Sequence, residues 1–174
     1  VFSWVAVSTS LGRQNAENAI GRLYASGGTN LDEGLAKASD LLNDRRFWWL
    51  DKEFKNVVTL TDGQPTQSAH RSNGTYCSQD ILDDTSKTAA DLGEAATLYT
   101  VCFGVADDKC WDGQEAPTVG EFLRDDVASG GGAYDPDNAD ELSKGFKPIQ
   151  AESTYGFAGN GFYVPTPLPQ RATS

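Results

Sequence analysis

The chain reads as an α/β protein, a doubly wound and mostly parallel sheet with helices on both faces. Two observations carry that expectation. Segments of strand composition alternate with segments whose apolar residues recur at helical spacing, the order that builds a parallel sheet from strand–helix–strand units. The short run Asn56-Val57-Val58-Thr59-Leu60-Thr61 is apolar on both faces, as a strand buried from two sides is.

The elements follow in order. Val1 to Ser10 has strand composition and opens directly, with no leader, so it reads as a cut or processed end; Gly12 to Asn15 closes it. From Asn15 the residues Ala16, Ala19, Ile20 and Leu23 keep helical spacing until Gly27-Gly28. A second helix starts at once. Thr29 and Asn30 are capping residues, Asp32 and Glu33 suit the positive end of the helix dipole, and Leu31, Leu35, Ala38 and Leu42 form one face. Asn56 to Thr61 is then the doubly buried strand, closed by Asp62-Gly63. Gln64 to Gln79 is polar and reads as a long exposed loop. Ile81 to Leu92 follows as a helix, Leu98 to Val105 as the best strand of the sequence, and Asp107 to Pro117 as a loop. Thr118 to Ala128 is a helix stopped by Gly130-Gly131-Gly132, Ala133-Tyr134 a short edge strand, and Asn138 with Glu141 a capping box for a last helix through Leu142, Phe146 and Ile149.

After about Ala151 the composition turns to Gly, Pro and aromatics. Residues 1–150 therefore read as the domain, and 151–174 as a linker or the first strand of a following segment. A length of 174 residues suits one domain with a real core. The formal charge of −11 would repel a phosphate backbone or an anionic membrane face, so nucleic acid is not an expected partner. No apolar run approaches the roughly 18–20 residues that cross a bilayer, so no membrane insertion is expected. Three cysteines, Cys77, Cys102 and Cys110, permit one bridge plus a spare thiol, or three buried thiols in a reducing compartment.

Two residues place oxygen ligands where an open α/β sheet carries its sites, at the carboxyl ends of the strands. Asp62 ends the buried strand, and Gly63 lets the backbone turn beside it. Thr29 follows two glycines and precedes a helix, so a tight loop presents its hydroxyl at the same edge. Carboxylate, hydroxyl and water are what a hard cation such as magnesium accepts. Each alone is also satisfied by a plainer reading, Thr29 as an N-cap and Asp62 as a turn residue.

The wider context joins them. Ile20-Gly21-Arg22-Leu23-Tyr24-Ala25-Ser26-Gly27-Gly28-Thr29-Asn30-Leu31-Asp32-Glu33-Gly34-Leu35, followed by Val57-Val58-Thr59-Leu60-Thr61-Asp62-Gly63-Gln64-Pro65-Thr66, resembles the von Willebrand factor type A domains, integrin I domains among them. In that family a Gly-Gly-Thr-Asn turn opens a helix and a strand ends in Thr-Asp-Gly. The resemblance continues through Leu98 to Val105 and ends at the helix from Asn138 to Ile149, so it spans about 150 residues in order. It implies a metal-ion-dependent adhesion site, in which an Asp-x-Ser-x-Ser loop, the threonine and the aspartate hold Mg2+, or another divalent cation such as Mn2+ or Ca2+. Thr29 and Asp62 carry over. The Asp-x-Ser-x-Ser loop does not: the nearest string, Ala6-Val7-Ser8-Thr9-Ser10, has alanine where the carboxylate belongs and matches the family's hairpin strand better. The first strand and helix of the family are therefore expected upstream of Val1, or on a partner chain that supplies the missing central strand.

The function so implied is adhesion and not enzymatic turnover: a cation bridges to an acidic side chain of a protein or matrix ligand, at a cell surface or outside the cell, with bacterial surface or pilus-tip adhesins as one home. Movement of the last helix accompanies affinity switching in several family members. The alternative is a structural assembly subunit that uses the fold for packing without a working metal site. An enzyme built on Asp62 lacks a nucleophile–base pair. His70, the sole histidine, reads as a solvated loop residue, and Asn73-Gly74-Thr75 as a glycosylation sequon. Asp107, Asp108 and Asp112 read as a solvated acidic loop before a calcium site, and Phe47-Trp48-Trp49-Leu50 as buried under helices before a docking patch.

Overall fold

A computed structural model describes residues 9–24, 27–44, 51–52, 55–68, 77–111, 115–153, 156–158 and 162–164. The expected strand from Val1 lies outside these residues as far as Ser8, as do His70, Asn73-Gly74-Thr75, Asp112 and Phe47-Trp48-Trp49-Leu50.

The described chain is α/β. Helix α1 is Ser10–Ile20, α2 Leu31–Leu42, strand β1 Asn56–Thr61, α3 Gln79–Ala95, β2 Thr97–Cys102, α4 Val119–Phe122, β3 Gly130–Tyr134 and α5 Ala139–Ser153. Strands β1, β2 and β3 form one parallel sheet in that spatial order, with Asn56 to Thr61 registered residue for residue on Thr97 to Cys102. Beyond α5, β4 (Gly156–Ala158) and β5 (Phe162–Val164) pair antiparallel, so the Gly- and aromatic-rich tail holds a small hairpin of its own.

Local signals explain most boundaries. Asn30 caps α2, its Oδ1 accepting from Glu33 N at 2.9 Å, while Leu31, Leu35 and Leu42 turn inward. Thr118 and Glu121 form a full capping box at α4. At α5 the box slips by one residue: Asn138 Oδ1 accepts from Glu141 N, but the Glu141 carboxylate returns to Asp137 N.

The chain departs from expectation in several places. Ser10 and Gly12 to Asn15 belong to α1 and do not end a strand, because Thr9 caps that helix by accepting from Gly12 N at 3.0 Å. The same helix stops at Ile20, leaving Leu23 outside it and 65% exposed. After one turn of α4 the chain widens into a π-helical turn, Leu123–Val127. Gly130-Gly131-Gly132 is strand and not a stop; a Cβ on Gly131 would collide with the Leu98 carbonyl oxygen, so glycine is what lets β3 lie against β2. The segment after Asp62 is not exposed throughout, since Pro65, Ser68 and Cys77 are buried.

The core fills one face of the sheet. Leu98 of β2 packs with Leu35 of α2, Leu92 of α3, Phe122 of α4 and Leu123 and Val127 of the π turn, all 2% exposed or less. The opposite face carries Tyr99 and Val101, covered by Tyr134 and by Leu142 and Phe146 of α5. That cover does not reach β1. Val58 and Leu60 remain 39% and 54% exposed, so β1 is not the doubly buried strand expected. The reason is its position: β1 ends the sheet, and no described strand pairs with its other side.

Candidate functional site

Strand β1 delivers Thr61 and Asp62 to the carboxyl end of the sheet. The Thr61 hydroxyl donates to Gly63 O at 2.9 Å and accepts from Gly63 N at 3.3 Å, which folds the turn back on the strand and leaves the Asp62 side chain facing solvent. The Thr29 backbone is clipped to the segment just after that turn. Its N–H donates to Thr66 Oγ1 at 3.0 Å, its carbonyl accepts from Thr66 N at 2.9 Å and Gln67 N at 3.1 Å, and Thr29 bridges Pro65 in parallel fashion. The Thr29 hydroxyl is thereby set against Gly63: a Cβ at position 63 would stand 2.8 Å from Thr29 Oγ1. Thr29 thus stands against Gly63, the chain neighbour of Asp62, and Thr29 is not the cap of α2, a role taken by Asn30.

Further bonds hold this edge in place. Gln64 Nε2 donates to Lys109 O at 2.9 Å, tying the turn to the loop after β2. Cys77 and Cys110 are disulfide-bonded, with Cα atoms 4.9 Å apart, so the same loop is fastened to the start of α3; Cys102 is the free thiol. Ser68 Oγ donates to Asp84 Oδ2 at 2.8 Å, and the Asp32 carboxylate, 1% exposed, accepts from the Thr88 hydroxyl, locking the first turn of α2 to α3. Thr66, Gln67 and Thr88 escaped the sequence reading. Asp32 carried a usable signal, because it lies three residues before Leu35 and so shares the inward face of α2.

Other candidates fare differently. Asp107 and Asp108 are exposed on the loop after β2. Among the described residues no three His, Cys, Asp or Glu side chains converge as a metal cluster. Burial pushes the Cys102 thiol up to about 11, with Asp135 and Asp108 adding to the rise against a hydrogen bond from the Val105 backbone. The thiol therefore stays protonated at neutral pH and is a poor nucleophile. Near it, at the carboxyl ends of β2 and β3, lies a cavity of about 330 Å³.

No family model, curated protein or solved structure matches the chain.

Proposed function

We propose that the chain is a module of the von Willebrand factor type A kind, a doubly wound sheet that uses Thr29 and Asp62 to hold a divalent cation and, through it, an acidic group on a protein or matrix ligand. The observation that carries this reading is the seating of the Thr29 hydroxyl against the Asp62-Gly63 turn. Hydroxyl and carboxylate oxygens at the carboxyl end of a parallel strand suit a hard cation, magnesium first and manganese or calcium next.

The fit is partial. Two side chains supply two of the roughly six oxygens that magnesium takes, and the remaining positions fall to water, a partner's acid or a further segment of polypeptide. When bound, the cation would supply a positive bridge to a carboxylate. The chain's own part is to orient Asp62 through the Thr61 brace and to hold the Thr29 hydroxyl through Thr66 and Gln67. This is ligation and not turnover. The Cys77–Cys110 disulfide supports an extracellular or cell-surface setting, where such bridges persist.

Titration calorimetry with MgCl2 and MnCl2 tests the reading. We expect saturable binding near roughly 1 mM for the chain alone, as for weak extracellular sites, lost in Asp62→Ala and weakened in Thr29→Ala. Binding of neither metal up to about 50 mM, or binding that both variants leave unchanged, sinks the metal reading.

One observation favours the alternative, an assembly subunit that uses the fold for packing. The free side of β1 is open among the described residues, beside the exposed Val58 and Leu60, and its six residues include no charge and no proline to deter pairing. A neighbouring chain could supply a strand there without any cation.

A further inference from the structure

We propose that the free side of β1 pairs with β1 of a second copy of this chain, antiparallel about a two-fold axis at Thr59. The proposal rests on the assembly reading, takes it further, and is independent of the metal reading. Lys55 O accepts from Thr97 N at 2.8 Å and Thr61 O from Phe103 N at 2.8 Å, so the odd-numbered residues of β1 turn their backbone groups toward β2. The alternate residues Asn56, Val58 and Leu60 therefore direct N–H and C=O to the free side, where no described strand pairs with them. The side chains of Val58 and Leu60, 39% and 54% exposed, share one face.

Symmetry, register and charge together select a copy of the same strand. A two-fold axis through the sheet edge makes the two strands antiparallel and closes the pair as a dimer, the commonest oligomer. With Thr59 opposite Thr59 of the second copy, Val58 meets Leu60 and Leu60 meets Val58, so both exposed apolar side chains find an apolar partner on their own face. A slip of two residues sets Leu60 against Asn56 in one direction and Val58 against Asp62 in the other, and a slip of one turns the faces. The same register makes Val58 and Leu60 the hydrogen-bonded pairs, in agreement with their outward backbone groups, and leaves the two Thr59 residues as a close non-hydrogen-bonded pair. The strand itself carries no charge, but Lys55 stands before it and Asp62 after it. Antiparallel pairing brings Lys55 of each copy near Asp62 of the other, whereas parallel pairing would set Lys55 beside Lys55 and Asp62 beside Asp62. That difference counts in a chain of formal charge −11, which otherwise repels its twin. One six-residue strand per copy falls short of the roughly 20–30 residues a side of a standard interface, so the dimer is a weak one.

Sedimentation equilibrium of the chain tests this, with EDTA present so that no cation mediates contact. We expect a species of twice 18.7 kDa, with a dissociation constant of roughly 10–100 μM. Leu60→Lys places a charge on a residue already 54% exposed, so the melting temperature should hold while the dissociation constant rises at least about tenfold. Thr59→Cys should give a disulfide-linked dimer on mild oxidation, because facing Cα atoms of a non-hydrogen-bonded pair stand about 4.5 Å apart. Cys77 and Cys110 are already joined and Cys102 is buried, so the native cysteines do not compete. Val57→Cys, roughly 13 Å from its mate in this register, should not link. Hydrogen exchange at the Val58 and Leu60 amides separates the ways of failing. A monomer up to about 1 mM with those amides exchanging freely overturns the dimer and leaves the edge open to a different chain, so the assembly reading stands. A monomer with them protected overturns the dimer and the assembly reading together, because the chain's own polypeptide then fills the edge. A dimer that Leu60→Lys leaves intact, or that Val57→Cys links as readily as Thr59→Cys, also overturns the proposal.

Discussion

Replacing Gly63 by alanine probes the seating of Thr29 directly. Gly63 is not among the glycines with positive φ, so alanine meets no backbone penalty there and should gain about 0.4–1 kcal/mol by restricting the unfolded chain. Against this, the new methyl would stand 2.8 Å from Thr29 Oγ1, closer than such atoms approach. The Thr29 backbone cannot retreat, being held at its N–H and twice at its carbonyl, so its side chain must rotate off its present rotamer at a cost of about 0.5–1.5 kcal/mol. The two effects nearly cancel in the single variant. Their separation appears in a double-mutant cycle: in a Thr29→Ala background the clash is gone, and Gly63→Ala should stabilise by the full entropic gain. Urea unfolding of the four proteins should give a coupling of about 1 kcal/mol between the positions. A coupling within about 0.3 kcal/mol of zero would refute the contact, and with it the geometry on which the metal reading stands.

Three further outcomes follow from the packing. Cys102 is raised from the ordinary 9.0 to about 11, so its thiol contributes stability that is full below pH 9 and lost as pH climbs toward 11, on the order of 2–3 kcal/mol; the Cys102→Ala variant should show a flatter stability profile in that window. Phe122, 1% exposed in the main core cluster, should cost about 3–5 kcal/mol on truncation to alanine, read by the denaturation midpoint at unchanged slope. Replacing Cys77 and Cys110 together by serine opens a loop of sequence separation 33, with an expected loss of roughly 3–4 kcal/mol on the chain-entropy model, measured in the same way against the oxidised protein.

Sequence reasoning located elements where the signal is local. The Asn30 cap with its acidic first turn, the span of β1 and the helix start at Thr118 were all legible, because a cap or an apolar period is written within a few residues. Features set by a distant neighbour were not. Gly131 looks like a breaker until the β2 backbone is placed beside it, and nothing in Leu123 to Val127 marks the change to a π turn. The site divides in the same way. Thr29 and Asp62 stand at turns that any parallel sheet would use, and so could be chosen; the Thr66 hydroxyl and the Gln67 amide that fix Thr29 lie 37 and 38 residues further along the chain and are joined to it only by folding. Apolar patterning also states what a strand needs and not what it receives, which is why Val58 and Leu60 read as buried.

That unmet need bears on both proposed readings of the protein. Covering the remaining exposed parts of Val58 and Leu60 would add about 2 kcal/mol, and each backbone hydrogen bond made along the free side of β1 about 0.5–1.5 kcal/mol more. The sum over a six-residue strand is of the same order as the cost of ordering and docking that strand, so only the surplus holds it there. Every strand of this sheet runs parallel to its neighbour. One added to β1 in the same sense would therefore finish beside Asp62 and Thr29. If it carries hard oxygen ligands at that end, melting temperature and cation affinity should rise together when it binds. If it serves only as packing, the melting temperature should rise with no gain in cation affinity. A single titration of the chain with such a strand, followed by both readouts, separates adhesion from assembly, because the two readings share the strand and differ only in what stands at its end.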